Sequence, residues 1–437
     1  MLSTFRDAWK VESLRKKMLF TLFMLLLYRL GSHIAVPYMN SQVISQIFSG
    51  SGGSIFSFLD LMAGGNFRRF TIFAANIYPY VTASIILQLL TIAIPSLESL
   101  AKEGETGRKA IAKYTRYLSI AIALIQAIGY TFGLFRKAVN ATSAIEYTTI
   151  ILSIVAGTAV LIWIGEQITE HGIGNGISIL IFAGIVSRFP LDIAQSVALV
   201  KAGKSSPIFL VLFIIIAIAI VVFVVTLTEG ERRIPVQYAK RVVGRKMYGG
   251  QSTHIPIKVL MTGVMPIIFA NSLLAIPATI AMFTSESTRN WIQKWLTPAG
   301  GPGAVLYIIF TVILIVFFTF FYTTIQFNTV EYSKNLQANG GFISGIRAGK
   351  PTSDYLGRTL NRLVMPGAIA LSILAVLPTI LTLISGLQFN YGGTSIIIVV
   401  GVVLEIHRVL EQQLIMRNYR GFLKLSLIHI SEPTRPY

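Results

Sequence analysis

The chain has 437 residues, of which 54% are hydrophobic and only 13% are charged, and its formal net charge is +19. Soluble domains carry a charge on about a quarter of their residues, so this composition excludes an ordinary soluble domain and favours an integral membrane protein. The chain has no cysteine, which excludes disulfides, thiolate metal sites and a cysteine nucleophile.

Ten apolar stretches follow one another along the chain. A helix needs about 20 residues to cross a hydrocarbon layer, and most of these stretches are long enough; the fifth is marginal. We predict ten spans, numbered in chain order, at residues 18–35, 76–94, 117–135, 147–165, 174–189, 208–228, 259–282, 304–326, 364–386 and 394–411.

Lysines and arginines alternate between rich and poor segments. The rich segments are the N-terminus, the loops 95–116, 228–258 and 327–363, and the C-terminal end. Because basic residues next to a span resist translocation, the rich side is predicted to be cytoplasmic, with both termini inside and an even number of spans. The same rule accounts for part of the net charge, which would otherwise suggest a nucleic-acid binder.

No cleavable signal peptide is expected at the N-terminus. Arg29 interrupts the first apolar run, and nothing after Gly31 resembles a small-residue cleavage site. The first span is therefore predicted to remain in the protein.

A short apolar segment with glycines at both ends, residues 50–65, lies between spans 1 and 2. It is too short to cross a membrane. It fits either a half-helix on the membrane surface or a movable stopper that precedes the proline-marked second span.

An internal repeat relates the two halves of the chain. Aligning spans 2 and 7 superposes Pro79 on Pro266 and Val81 on Ile268, and aligning spans 5 and 10 superposes a longer glycine-rich segment, 176–186 on 393–403. This is the pattern of a five-plus-five duplication. Because five is odd, the two units are predicted to be inserted in opposite directions, with a pathway where they meet. The alternative is that proline and glycine are simply common in membrane helices.

Branched aliphatic residues occupy the repeat-related spans at the positions expected to face the pathway. Few ionisable residues lie deep in the spans: Arg29 lies in span 1, and Glu405, His407 and Arg408 lie near the cytoplasmic end of span 10. An aliphatic ring cannot replace the hydration shell of an ion, which favours a large passenger over a solute and argues against the alternative of a secondary transporter. The candidate positions are Ile77, Val81, Ile85, Ile177, Ile181, Ile268 and Ile398.

Two predicted cytoplasmic loops have sequence patterns of ordered structure, beyond the basic residues that fix the membrane orientation. Alternation around Ile234, Val236 and Tyr238 predicts a hairpin with cationic tips in loop 228–258. Loop 327–363 contains a glycine-rich turn, but its spacing does not match a phosphate loop, so nucleotide binding is not expected. The two loops are either solvated positive-inside loops or docking sites for an acidic or phosphate-rich partner.

The chain resembles the SecY family, the protein-translocation channels of bacteria, from about residue 1 to about residue 424. The motifs that carry the resemblance are NIYPYVTASIILQLL, GEQITEHGIGNGISILIFAGIV, EGERRIPVQYAKR, QSTHIPIKV, GGFISGIRAGKPT and FNYGGTSIIIVVGVV. The resemblance implies an all-α integral membrane protein of ten transmembrane helices in two inverted five-helix halves, residues 1–195 and 196–424. It also implies an hourglass pore, a short plug half-helix at about 54–63, and a lateral gate between spans 2 and 3 on one side and spans 7 and 8 on the other.

Site residues follow from the matched motifs. The gate would include Gln126 and Asn271, and the pore ring would be Ile77, Val81, Ile177, Ile181, Ile268 and Ile398. The plug would include Ser54, Ile55, Phe56, Phe58, Leu59, Leu61 and Met62. Docking of the motor ATPase SecA and of the ribosome would use Arg232, Arg233, Arg241, Arg245 and Arg347.

The function implied is a channel, and not an enzyme, in the bacterial cytoplasmic membrane. It would pass unfolded secretory polypeptides, release hydrophobic segments into lipid, recognise signal sequences, and bind SecE and SecG in the membrane. An enzyme is not expected, since no serine-elbow motif, metal-binding His-Glu pair or phosphate loop is present, and no cofactor or metal is expected either. The end departs from the family, because residues 425–437 look like a foreign tail and are left out of the fold.

Overall fold

The structure is a computed structural model in which a helix overlaps each of the ten predicted spans. It describes residues 2–50, 60, 63–201, 207–238, 241–243, 246–248, 252–281, 284, 287–288, 291–292, 295, 302–385 and 393–430. The helices of spans 1 to 10 are Glu12–Gly31, Tyr78–Ala93, Glu105–Ile128, Ala144–His171, Gly176–Lys201, Pro207–Glu229, Met265–Ala281, Pro302–Gln326, Lys350–Ser385 and Gly393–Ile430.

Several of these helices pass a length and hydropathy test for crossing a membrane. Within the described residues four helices pass alone, and a fifth passes if span 2 is joined to the helix Pro95–Lys102, from which it is bent by 102°. Three further apolar helices are shorter. The four that pass are Glu105–Leu134, Ala144–His171, Gly303–Ala338 and Lys350–Leu377.

The shorter helices lie between or before the spans. The N-terminal helix packs on the end of span 10, where Ala8 and Leu410 are fully buried together. A π-helical segment, Gly129–Leu134, continues span 3. The remaining short helices include Leu2–Lys10, Ser41–Gly50, Asn66–Arg69, Pro95–Lys102, Arg136–Ala138 and Thr329–Ala338.

The repeat predicted from the sequence is visible in where the helices begin. Pro79 and Pro266 are each the second residue of their helix, and Gly176 and Gly393 are each the first. Proline suits the first turn because its missing N–H has no partner there in any case. A Cβ at Gly176 would lie 1.9 Å from the carbonyl oxygen of Gly165, so only glycine permits this close approach. The prolines and glycines that the repeat aligns therefore lie at the first turns of the related helices.

Packing of neighbouring spans recurs in the two halves. Spans 2–3, 3–4 and 4–5 pack in sequence, and so do spans 7–8, 8–9 and 9–10. Contacts between spans 2 and 7 and between spans 5 and 10 join the two halves. One large apolar cluster runs through spans of both halves, so the repeat-related helices share a core.

The two basic loops form one antiparallel sheet. Strand β1, Glu231–Tyr238, pairs with β4, Ser252–Lys258, which confirms the predicted hairpin, and also with β5, Gly341–Ile343, from the other loop. The order is therefore β4-β1-β5. Strands β2, Arg241–Val243, and β3, Lys246–Tyr248, form a second, two-stranded ladder between β1 and β4. Ile234, Val236 and Ile343 point into a shared core, while the side chains between them face outwards.

Candidate functional site

The six candidate ring residues meet in one apolar cluster. Five of them are buried, and Ile177 is half-buried against the same cluster, which also contains Ile85. Each lies immediately before its helix or within its first two turns. The starts of spans 2, 5, 7 and 10 therefore direct branched side chains to one place, where they pack together.

A partly open cavity of about 700 Å³ lies against this cluster. Four of the candidate ring residues, all but Ile77 and Ile398, line one part of it. Another part is polar and is formed by the beginning of span 3 and the end of span 4. The charged residues there are Lys109, Lys113, Arg116, Glu166 and Glu170.

A two-pronged ion pair links spans 3 and 4 in the wall of the cavity. The Arg116 guanidinium donates to both carboxylate oxygens of Glu166, with N···O distances of 2.6 and 3.1 Å. This geometry is the strongest form of an arginine–carboxylate contact. This part of the cavity wall is therefore charged, while the candidate ring residues that line the other part are aliphatic.

The two candidate gate residues, Gln126 and Asn271, are both buried in the membrane region. Within the described residues, the Gln126 Oε1 and the Asn271 Nδ2 have no hydrogen-bond partner. One is an acceptor and the other a donor, and a buried polar atom without a partner costs about 1–3 kcal/mol. Each of these two side chains therefore holds a buried polar atom that a polar or hydrated neighbour would stabilise.

Two tyrosine hydroxyls clasp span 2 to spans 7 and 8. The Tyr78 hydroxyl donates to the backbone carbonyls of Asn271 (3.1 Å) and Ser272 (2.9 Å), and the Tyr322 hydroxyl donates to the Gln88 Oε1. We call these contacts the gate clasp. Sequence reasoning missed all three side chains, because only their placement across from one another distinguishes them from other aromatic and polar residues in the spans.

Three of the predicted docking arginines, Arg232, Arg233 and Arg241, lie on strands of the two basic-loop sheets. Arg232 and Arg233 are exposed on β1, and the hydrogen bond that Arg233 donates to Glu231 lowers the pKa of that carboxyl. Arg241 lies in β2, and only its backbone is described. Arg245 lies outside the described residues. The described part of this surface therefore presents cations to solvent.

Arg347 stands at the tip of the glycine-rich turn and is exposed. Gly345 and Gly349 on either side adopt positive φ angles of 79° and 96°, which favour glycine. The Thr352 hydroxyl donates to the Arg347 carbonyl at 2.9 Å, and Ile346 packs against the sheet core. The backbone of the turn is thus held on both sides of Arg347, and the arginine side chain extends into solvent.

The seven candidate plug residues, Ser54, Ile55, Phe56, Phe58, Leu59, Leu61 and Met62, lie outside the described residues. From the same segment the structure describes Asp60 and Ala63, both buried. Residues 431–437 of the predicted foreign tail also lie outside, while the helix of span 10 extends to Ile430.

Comparison with known proteins gives a consistent result. The SecY family model matches residues 71–407. The chain is 44% identical to the protein translocase subunit SecY of Streptomyces galbus, over 97% of this chain and 100% of that protein. It is 43% identical to the protein of the same name from Aquifex aeolicus, over 95% of this chain and 98% of the relative.

Solved structures with the same fold are also found. A protein-conducting channel superposes with a TM-score of 0.65 at 22% identity, covering 91% of this chain and 92% of that one. A structure from work on the SecY plug domain, described there as stabilising the closed state, has a TM-score of 0.64, the same identity and the same coverage. The canine Sec61 channel bound to a ribosome has a TM-score of 0.61 at 20% identity, covering 91% of this chain and 92% of that one. These similarities establish the membrane-channel fold of the chain.

Proposed function

The chain belongs to the SecY family, and from this premise we propose that it is a protein-conducting channel for unfolded secretory polypeptides. The single observation that carries the proposal is the aliphatic cluster where spans 2, 5, 7 and 10 meet, with a charged cavity against it. Such a constriction closes by packing and yields to a flexible chain, because it holds no fixed ligand. The residues of this ring are Ile77, Val81, Ile177, Ile181, Ile268 and Ile398.

The wall of the cavity distinguishes a polypeptide channel from a solute carrier. A carrier binds its solute near the midplane through polar or charged groups. Here the ionisable residues that line the cavity belong to the beginning of span 3 and the end of span 4, and the constriction itself is aliphatic. In this proposal the charged wall keeps the passing polypeptide hydrated, and the aliphatic ring closes around the polypeptide.

We propose that the chain is not an enzyme and that partner proteins supply the energy for transport, through ATP hydrolysis or through elongation by the ribosome. The sheet formed by the two loops exposes Arg232 and Arg233, and the turn beside it exposes Arg347. An exposed cationic surface attracts acidic partners and accelerates their association. We assign it to SecA and to the translating ribosome, in keeping with the ribosome-bound relatives.

The orientation follows from the basic segments together with the fold. The Thr4 hydroxyl lies 3.2 Å from His407 Nε2, so the N-terminal helix and the end of span 10 lie on the same side. That side is also the basic one, and basic segments stay in the cytoplasm. We propose that the protein lies in the bacterial cytoplasmic membrane with both termini inside, next to the small subunits SecE and SecG.

Lateral release of hydrophobic segments is assigned to the seam between spans 2 and 3 on one side and spans 7 and 8 on the other. The gate clasp crosses this seam from span 2 to spans 7 and 8, and Gln126 and Asn271 are buried in spans 3 and 7. When a signal sequence separates the two sides of the seam, the hydrogen bonds of the gate clasp break, and the apolar side chains of the signal sequence contact lipid.

Removing the Tyr322 hydroxyl is expected to lower the hydrophobicity that a segment needs for release. One hydrogen bond contributes about 1 kcal/mol net, and a leucine at the centre of a membrane helix contributes about 0.3–0.6 kcal/mol, so Tyr322→Phe should shift the insertion midpoint by about two leucines. A graded alanine–leucine series in membrane-insertion assays measures this shift.

Two controls accompany this experiment. Gln88→Leu removes the same contact and also the 3.3 Å hydrogen bond that Gln88 donates to Ser84 Oγ, so it should give at least the same shift; the double variant should shift no further than Gln88→Leu alone. Tyr332→Phe, at a half-exposed tyrosine outside the seam, should leave the midpoint unchanged. An unchanged midpoint in Tyr322→Phe would refute the role of the gate clasp.

The proposed function itself is tested by reconstitution. The purified chain, with SecE and SecG in lipid vesicles, should carry an unfolded preprotein to the vesicle interior when SecA and ATP are added. Protease protection of the preprotein measures the result, and vesicles without ATP are the control. Vesicles that bind the preprotein but never protect it would contradict the proposal.

A further inference from the structure

An arginine in span 10 caps the end of the span 6 helix. The Arg408 guanidinium donates to the backbone carbonyl of Thr228 at 2.7 Å, and Thr228 is the second-last residue of that helix. The last carbonyls of a helix have no partner within it, and they form the negative end of the helix dipole. A cation at this position therefore satisfies a carbonyl and stabilises the helix end.

The sheet of the two basic loops begins at the same helix end. The Gly230 N–H donates to the Thr226 carbonyl at 2.9 Å, and the Gly230 carbonyl accepts from the Val259 N–H at 2.9 Å. Strand β1 begins at the next residue, Glu231, which pairs with Lys258 at the end of β4. The two strands therefore leave the end of span 6 as one hydrogen-bonded unit.

Arg408 also lies close to the base of this sheet. Partial burial lowers the pKa of Lys258, and the positive charge of Arg408 lowers it further. The carboxylates of Glu231 and Glu229 act on the pKa of Lys258 in the opposite direction. Arg408 therefore stands where span 6, the sheet and span 10 meet.

Span 10 connects this meeting point to the ring. Arg408 follows Ile398 by ten residues of the same helix, which is about 15 Å along its axis. Between them, Leu404 is buried in the apolar cluster that contains the ring, together with Val224 of span 6. Interiors packed in this way have low compressibility and transmit strain, so a displacement at the end of span 6 would be carried to span 10.

We propose that Arg408 is a positioning residue that couples partner binding at the sheet to opening of the ring. This inference rests on the proposed function, in which SecA binds the sheet, and it names the contact through which the two sites act on one another. The sites are distinct, and the ring has a closed and an open state. Coupling between two sites is reciprocal, so an opened ring should strengthen SecA binding by the same factor by which SecA favours opening.

The test measures the affinity of SecA for channels in lipid vesicles, with the ring intact or loosened. Ile398→Asn loosens the ring, and in the otherwise unmodified channel it should strengthen SecA binding about fivefold or more, the lower end of ordinary couplings between sites. When Arg408→Leu is also present, the same ring change should leave SecA affinity unchanged. Arg408→Leu alone should leave the iodide leak of resting vesicles as low as in the original channel, because the ring residues stay in place.

Matched variants separate coupling from general damage. Arg408→Lys should keep the response of SecA affinity, because lysine still places a cation at the helix end. Arg15→Leu, the same change at an exposed arginine near the start of span 1, should keep it as well. If Arg408→Leu does not insert, Arg408→Gln replaces it, since glutamine removes the cation but stays polar, and the response should again be lost.

Three results would overturn the inference. SecA affinity could respond to Ile398→Asn equally with and without Arg408, or it could respond in neither channel. A resting leak raised by both Arg408→Leu and Arg408→Gln would show that the arginine merely supports the fold.

Transport by the unmodified channel distinguishes these results from a failure of the proposed function. If that channel moves a preprotein with SecA and ATP while one of the three results is found, only the inference about Arg408 fails. If the unmodified channel moves none, the proposed function fails, whatever the affinities are.

Discussion

Replacing Ile398 by asparagine is expected to raise the leak of the resting channel about thirtyfold and to admit passengers with poorer signal sequences. Ile398 is 1% exposed in the shared apolar cluster. Burial of such a side chain contributes about 2 kcal/mol to the closed arrangement, and that loss corresponds to about a thirtyfold larger open fraction. Iodide efflux from vesicles and export of signal-sequence variants in cells measure the two effects.

The matched control at the same position is Ile398→Leu. Leucine keeps the apolar volume and should change the leak little, since such exchanges usually cost below about 1.5 kcal/mol. A solute carrier would respond to the asparagine only with a change in solute affinity. Vesicles as tight with asparagine as with isoleucine would show that Ile398 does not belong to the seal.

Reversing the charge of Arg347 is expected to stop SecA-driven export while the channel still folds and inserts. The side chain is exposed on an anchored turn, so Arg347→Glu removes no packing from the core. Losing one charge pair in an interface costs about 2–5 kcal/mol, which lowers partner-driven transport by about thirtyfold or more. ATP-dependent protection of a preprotein in vesicles measures it.

The control for this change is Arg362→Glu, an exposed arginine beyond the turn. It carries the same charge reversal and should retain transport. Arg347→Lys separates charge from shape, because lysine keeps the cation but lacks the planar fork. Normal transport by Arg347→Glu would remove the docking role assigned to this residue.

Much of the fold was predictable because it follows from the membrane. Hydropathy predicts where helices lie, and a helix overlaps each of the ten predicted spans. The repeat was readable because Pro79 and Pro266 occupy the same position in related helices, where the first turn favours proline. The six candidate ring residues meet in one cluster for the same reason, since equivalent positions of a duplicated unit face one axis.

Contacts between distant residues were not predictable from local pattern. Tyr322 and Gln88 are 234 positions apart, and nothing in either neighbourhood reveals their hydrogen bond. Asp60 and Arg188 form a buried ion pair, but Asp60 lies in a short glycine-flanked segment and Arg188 near the end of a predicted span, so neither position indicates a partner by itself. The pairing of β1 with β5 is likewise long-range, and alternation in loop 228–258 predicted only the hairpin with β4.

The sheet shared by the two loops has a mechanical consequence. One loop connects spans 6 and 7 and the other connects spans 8 and 9, and β1 hydrogen-bonds to strands of both. A force applied to either loop would therefore reach four helices through one sheet. A change in the length of one loop would alter the register of its pairing with the other, so neither loop can be redesigned independently.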